Sequence, residues 1–307
     1  MTNPFPFSLL FVPAHDERLR RKAATLGRQT LVLDLEDAVP LAGKDRARSG
    51  AVELIDQSPG RCFVRINPLT AATPFSRACG AADLAIVVRQ GLRGIVLPKT
   101  ESAGSVRQAH ALICAHESAA GVPVGTVELL AIVESARGIV ALREIAEAAP
   151  SRPFRLCFGA GDFATDLRVG WSESEEESRT ARSLLVIASR AAGLPSPIDS
   201  VYPNLADLDG LARNTRAALA LGFKNKFVIH PSQIEVVEAI LRPTAEDIEW
   251  AERVVAGMRA AEREQRAAFT INGRLVDYPI VARAEEILAA AGLSRGKGHS
   301  RPAEGAP

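Results

Sequence analysis

Residues 127–162 read VELLAIVESARGIVALREIAEAAPSRPFRLCFGAGD. An apolar run, Val127–Val133, stops at Glu134, and a helix-period segment follows over Arg137–Ala148. A second apolar run, Phe154–Phe158, stops at Gly159-Ala160-Gly161-Asp162. A strand that alternated apolar and polar residues would have one wet face. A continuous apolar strand is covered on both faces, and helices between such strands are the covering layer of a parallel sheet.

The same rhythm extends in both directions. Further apolar runs stand at Ser8–Val12, Thr30–Leu35, Arg61–Ile66, Gly94–Leu97, Ile198–Val201 and Phe227–Ile229. Between them lie helix-period segments at Asp16–Leu26, Lys44–Ile55, Ser102–His116, Ser174–Ala192, Leu205–Leu221 and Ile234–Leu241. Eight strand–helix units predict an α/β fold of the closed (β/α)8 barrel type. The third unit is the weakest, because Thr73–Gln90 mixes turn residues with helix formers. An open doubly wound sheet is the alternative, but its GxGxxG fingerprint is absent after Phe158. The predicted boundaries are a barrel over 1–243, a C-terminal extension over 244–293 and a disordered tail over 294–307. The extension reads as a helix at Ala245–Glu264, a hairpin turning at Asn272-Gly273, and a last helix to about Ala291. It is too small for a separate domain and suits a lid or an oligomer contact.

Bulk properties exclude several classes. The chain has 307 residues, a formal net charge of +1 and no long basic run, so neither nucleic acid nor an anionic membrane is expected as a partner. No stretch of about 18 uncharged apolar residues exists to span a bilayer. Met1–Phe11 lacks a basic n-region and a cleavage site and is not read as a signal peptide. Cys62, Cys79, Cys114 and Cys157 are widely spaced, which predicts reduced thiols and a cytoplasmic setting.

In a barrel of this type, chemistry gathers where the strands end. Here nearly every strand ends on a polar group: His15, Glu36-Asp37, Arg65, Lys99, Glu134, Asp162, Asn204 and His230. Glu134 and Asp162 end adjacent strands. Two carboxylates with waters and substrate oxygens are a usual Mg²⁺ site, and Mn²⁺ suits the same oxygens. The structural alternative is a pair of helix caps or unrelated ion pairs. Asp34, Glu36 and Asp37 can orient a base or hold the waters of the ion, or can pair with Lys44, Arg46 or Arg48. Arg65 at the end of a buried strand calls for an anion, either a substrate carboxylate or a protein ion pair. The turn from Gly159 to Phe163, with Gly161 and Asp162, can offer backbone N–H groups to a second carboxylate. Lys99 is the lysine that a Schiff-base aldolase would need, but the carboxylates around it favour its staying charged. His15 and His230 become neighbours when the barrel closes. A satisfied structural histidine is the commoner reading of each.

Seven segments taken together resemble one family: LLFVP (9–13), LDLEDAV (33–39), VRINP (64–68), VLPK (96–99), IVES (132–135), GAGDFA (159–164) and IHPSQ (229–233). They resemble the citrate lyase β-subunit-like family of the HpcH/HpaI aldolase superfamily, whose relatives include malyl-CoA and citramalyl-CoA lyases. The resemblance runs from about Ser8 to about Leu293. It implies a (β/α)8 barrel with Mg²⁺ on Glu134 and Asp162, Arg65 on substrate oxygens, and Glu36 and Asp37 near the waters of the ion. It also implies that Asp277, in GRLVDYP (273–279), reaches over the site of a neighbouring subunit in a homotrimer or hexamer.

The expected activity is a Mg²⁺-dependent carbon–carbon lyase or synthase acting on a 3-hydroxyacyl-CoA thioester, with a 2-oxo acid and acetyl-CoA as the other partners. Arg65, Asp277, Glu36 and Asp37 are the expected catalytic groups. Arg65, Gly161, Asp162 and Lys99 are the expected substrate contacts, and Arg18, Lys22 and Lys44 the expected partners of the CoA phosphates. A citrate lyase subunit working on a carrier-protein thioester and a non-catalytic paralogue are the alternatives. Where many relatives carry Gly after the first-motif Pro, this chain has Ala14, and Phe163 follows Asp162 where a Leu is common.

Overall fold

The computed structural model describes residues 5–70, 74–148 and 150–293. Pro6–Leu241 makes one compact unit and the chain from Arg242 another. In the first unit, β1 (Ser8–Pro13), β2 (Thr30–Asp34), β3 (Cys62–Arg65) and β4 (Leu92–Leu97) alternate with α1 (Glu17–Ala24), α2 (Lys44–Gln57) and α3 (Pro74–Val87). Then come α4 (Ala103–Ala119), β5 (Glu128–Val133), α5 (Ala136–Val140), α6 (Leu142–Glu147), β6 (Phe154–Phe158), α7 (Ala160–Asp166) and α8 (Glu176–Ala191). The unit ends with β7 (Ile198–Asp199), α9 (Leu208–Leu221), β8 (Asn225–Val228) and α10 (Ser232–Leu241).

The eight strands pair in chain order, all parallel, and the barrel closes where Leu9 and Leu10 of β1 meet Phe227 and Val228 of β8. The (β/α)8 reading holds, and the open-sheet alternative falls with this closure. Most strand residues are apolar because the barrel interior covers one face and the helices the other: Leu31, Val32 and Leu33 of β2 are all fully buried, whereas β7 and β8 also bury the polar Asp199, Asn225 and Lys226. Helices begin where short polar side chains accept a first-turn N–H. Asp16 caps α1, Ser102 caps α4, Ser135 caps α5 and Asp207 caps α9.

The weak third unit holds as a helix from Pro74, a residue whose fixed φ and missing N–H suit a first turn. Two local readings are corrected. The segment expected as one helix over 137–148 is two, parted at Ala141, where ψ is 7°. The expected turn at Gly159–Phe163 is the start of an added helix, α7, between β6 and α8.

In the second unit, α11 (Ala245–Arg263) opens on a capping box in which Thr244 and Asp247 satisfy each other's backbone N–H. It is followed by β9 (Phe269–Ile271), β10 (Arg274–Val276) and α12 (Tyr278–Ala290). The hairpin turns on Asn272 and Gly273 at φ +52° and +74°, the left-handed pair that a two-residue loop requires. Ala251, Val254 and Met258 of α11 pack with Val276, Val281 and Ala284 as this unit's own small core. The expected tail, 294–307, lies outside the described residues.

Candidate active site

The mouth of the barrel is built on an arginine clamp. Asp34 and Arg65 are the last residues of β2 and β3 and stand in register across the sheet. Arg65 Nε donates to Asp34 Oδ1 and Nη2 to Oδ2, both at 2.7 Å, a bidentate pair. The same two oxygens accept the N–H groups of Glu36 and Ala38 at 3.0 and 3.1 Å. Burial pushes the Asp34 carboxyl up, but Arg65 and these N–H groups outweigh it and hold it below the usual range. The Arg65 guanidinium also lies 4.9 Å from the centre of the Phe11 ring, over its face. Arg65 is thereby held by protein on one edge, with Nη1 turned toward Glu36 Oε2 at 3.1 Å.

Glu36 sits between two cations. Lys99 Nζ lies 3.0 Å from its Oε1, opposite Arg65 on Oε2. Both oxygens are buried, and neither receives a hydrogen bond of good alignment, so the cations stand beside the carboxylate rather than in line with it. Burial is the largest influence and lifts the carboxyl to about 7, against the pull of Arg65 and Lys99 and with a push from Asp37.

Glu134, one residue past β5, is buried and accepts the main-chain N–H of Lys99 on Oε1 at 2.7 Å. Burial raises its carboxyl well above the ordinary range, and the neighbouring Glu36 and Asp162 raise it further. Gly159 makes room for it: a Cβ there would overlap the carboxylate and come within 2.7 Å of Glu134 Cβ. Asp162 stands in the first turn of α7, near enough for its charge to act on both Glu134 and Lys99.

The structure therefore brings Glu36, Arg65, Lys99, Glu134 and Asp162 into one cluster, with Asp37 at its rim 3.4 Å from Lys99 Nζ. No group of three or more His, Cys, Asp and Glu is arranged as a ready cation cage among the described residues. Glu134 and Asp162 would supply one or both oxygens of each carboxylate to such an ion, the remaining positions falling to water and substrate. A buried carboxyl crowded by two others is the surplus of negative charge that a divalent cation relieves. The residues fit such an ion.

Some expectations change. Lys44, expected on CoA phosphates, is buried: its Nζ donates to Leu35 O, Glu36 O and Asn67 Oδ1 at 2.6, 2.8 and 2.8 Å. Three acceptors satisfy the ammonium and take Lys44 out of that role. It ties the segment just after β2, which carries Glu36, to Asn67. Arg48 pairs with the buried Asp83 rather than with Asp34. Of the N–H groups expected to be open at Gly159–Phe163, that of Ala160 is bound to Ser200 Oγ, while those of Gly161 and Asp162 lie in the first turn of α7, where a helix offers no backbone acceptor. Arg18 lines a cleft with His15, Arg21 and Arg46 at the start of α1, and Lys22 is exposed one turn on. His230 bonds Ser232 Oγ. Asp277 precedes α12 in the C-terminal unit and makes no capping bond.

Sequence reasoning left the partner of Arg65 open between substrate and protein. The signal was present: Asp34 and Arg65 each stand second from the end of a run, on neighbouring strands. The Glu134–Lys99 main-chain bond had none, because it depends on a left-handed residue.

Comparison with known proteins places these features in a family. The model of the HpcH/HpaI aldolase/citrate lyase family matches residues 8–231. The citrate lyase subunit beta of Leuconostoc mesenteroides subsp. cremoris is 35% identical over 284 residues, 92% of this chain and 91% of that one. The mitochondrial citramalyl-CoA lyase of Mus musculus is 30% identical over 296 residues, 92% of this chain and 85% of that one. A crystal structure of the protein CitE from Mycobacterium tuberculosis in complex with magnesium, acetoacetate and coenzyme A superposes with a TM-score of 0.72 at 34% identity, covering 94% of this chain and 98% of that one.

Proposed function

We propose a reaction for a chain that belongs to the HpcH/HpaI aldolase/citrate lyase family and is a carbon–carbon lyase: Mg²⁺-dependent cleavage of a 3-hydroxyacyl-CoA thioester to acetyl-CoA and a 2-oxo acid, or its reversal. The observation that carries this reading is the buried carboxyl group of Glu134, crowded by Glu36 and Asp162 beside a clamped Arg65. The ligands named for the CitE structure are magnesium, acetoacetate and coenzyme A, and further structures from Mycobacterium tuberculosis name magnesium with pyruvate or with oxaloacetate, both 2-oxo acids; ion, CoA and 2-oxo acid are what this reaction needs.

Glu134 and Asp162 would hold the ion, with Mn²⁺ an acceptable substitute. When bound, the ion supplies positive charge next to the oxygen that gains negative charge. The N–H groups of Arg65 that Asp34 does not occupy bind the carboxylate of the oxo acid and the same reacting oxygen. The hydroxyl proton of the thioester substrate passes to a carboxylate base at the site, for which Glu36 is the nearest candidate, the C–C bond breaks, and its electron pair passes to the thioester as an enolate. That enolate takes a proton and becomes acetyl-CoA, while the hydroxyl carbon becomes the carbonyl of the oxo acid. Glu36, with a carboxyl near 7, holds or releases a proton at neutral pH, and Asp37 orients water at the rim. Following the family resemblance, Asp277 of a neighbouring copy delivers the proton to the enolate in a homotrimer or hexamer. Gly161 and Asp162 offer first-turn N–H groups to the oxo-acid carboxylate. Arg18 and Lys22 stand for the CoA phosphates, and the setting is the cytoplasm.

The test is acetyl-CoA release from malyl-CoA, citramalyl-CoA and citryl-CoA, with Mg²⁺ and with EDTA. Release from one of them, abolished by EDTA and by Glu134→Ala, is the expected result. Metal-independent release, or none from any thioester, would sink the proposal. The 35% identity to a citrate lyase subunit beta favours a second reading, action on a carrier-protein thioester. It predicts that a carrier protein co-purifies and that the CoA thioesters are inert.

A further inference from the structure

Lys99 breaks two local rules at once. It has φ +50°, a left-handed backbone that a residue with a side chain avoids and that glycine or asparagine adopts readily. It also interrupts a regular ladder. Leu97 of β4 pairs with Ala131 of β5, and the next strand-to-strand bond runs from Thr100 N to Ile132 O at 2.9 Å. Between those points the N–H of Lys99 turns away from the β5 backbone and donates to Glu134 Oε1 at 2.7 Å. Strain of this kind persists only where the surroundings over-determine it, and it concentrates at functional sites.

We propose that Lys99 is a positioning residue whose left-handed backbone, rather than its charge, holds the Glu134 carboxylate for the divalent cation. This rests on the reading of Glu134 and Asp162 as ligands. Without the turn, the N–H would face β5 and one oxygen of Glu134 would lose its donor inside a buried site. The ammonium has a separate task. It lies 3.0 Å from Glu36 Oε1 and 3.4 Å from Asp37 Oδ2, on the β2 side of the cluster. Main chain and side chain of one residue thus address two different carboxylates, and substitutions can separate them. Lys99→Gly and Lys99→Asn remove the ammonium and keep the left-handed turn. Lys99→Val removes the ammonium and drives the backbone out of that region, because a branched Cβ is a genuine outlier there.

The experiment is Mn²⁺ titration of full-length protein, read by the loss of the free-ion electron paramagnetic resonance signal, with thermal midpoints alongside. Lys99→Gly and Lys99→Asn are expected to bind Mn²⁺ within about threefold of wild type, and Lys99→Val at least about tenfold more weakly. A residue that served the fold alone would shift the midpoints and leave this order of affinities flat. Should Lys99→Val not fold, Lys99→Ala, which tolerates the turn less well than Gly, is expected to bind Mn²⁺ more weakly than Lys99→Gly, and equal binding by the two overturns the proposal. Equal binding by Gly, Asn and Val variants overturns the proposal while leaving the ligand assignment standing. So does weak binding by all of them, which would assign the effect to the charge. A wild type that does not bind Mn²⁺ saturably overturns the ligand assignment and this inference with it.

Discussion

Asp34 touches no position assigned to substrate, yet it takes two of the guanidinium's N–H groups and two backbone N–H groups on one carboxylate. Asp34→Asn keeps the size and loses the charge, leaving Arg65 buried beside a neutral partner. A fall in kcat/KM of about 10- to 100-fold is expected, with most of it in kcat, since the loss is of alignment in the transition state. Arg65→Lys keeps the charge but cannot hold Asp34 and a substrate carboxylate together. It should lose at least as much, with KM rising. Steady-state kinetics on whichever thioester is cleaved decides both. A rise in KM alone for Asp34→Asn would mean that Asp34 serves binding only. The polar strand ends were legible residue by residue, because a charged group at the end of a buried strand must meet either a ligand or a protein partner. Their partners were less so. Lys44 looks like any lysine at the start of a surface helix, and only the fold shows three acceptors converging on it.

At the scale of the element, α7 is what the sequence hid. GAGD reads as a loop from local propensity, yet tertiary contacts make it a helix. It brings Asp162 into a first turn, and Gly159, just before it, allows Glu134 to pass. Gly159→Ala is therefore expected to displace the Glu134 side chain. Mn²⁺ affinity should drop by about tenfold, with only a modest change in thermal midpoint, as measured by the same spin-resonance titration. Unchanged affinity would show that Glu134 can move without loss. The strands were easier, since burial on both faces writes most of them as an apolar run. β7 is the exception: only Ile198–Asp199 pairs in the barrel, and the run read as Ile198–Val201 extends past it. Far from the mouth, α4 and the start of β6 are joined by Glu117 and Arg152, both with fully buried side chains. Glu117 also accepts the N–H groups of Gly125 and Val127. Arg152→Ala leaves that carboxylate buried without its cation and is expected to cost about 3–5 kcal/mol in urea unfolding. A loss under 1 kcal/mol would show that the two N–H groups suffice. The Lys–Asp–Arg–Glu chain of Lys226, Asp199, Arg182 and Glu175, between the barrel and α8 and α9, is built on the same principle.

For the whole molecule, the carboxylate cluster links proton, cation and stability. Glu36 has a carboxyl near 7 in the fold against about 4.3 for an unfolded Glu. The folded state thus holds a proton that the unfolded state releases. The associated stability is fully present below the unfolded value and is lost as pH rises from about 4.5 through 7. Metal-free protein should then melt at a lower temperature at pH 8 than at pH 6, and Glu36→Gln, which cannot ionise, should lose part of that difference, the remainder belonging to the likewise raised Glu134. Mg²⁺ acts in the opposite sense. It favours the ionised carboxylates, so it should bind more tightly at pH 8 than at pH 6 and displace part of a proton as it does. At 100 times its Kd, binding to the native state alone adds about 2.7 kcal/mol, or several degrees in a chain of this size. The two effects must cross: Mg²⁺ should raise the midpoint more at pH 8 than at pH 6, and calorimetry in two buffers of different ionisation enthalpy should count the released protons. A midpoint gain that is equal at both pH values, with no proton released, would mean that the cation sits away from Glu36 and Glu134. The raised carboxyls would then have to be explained by burial alone.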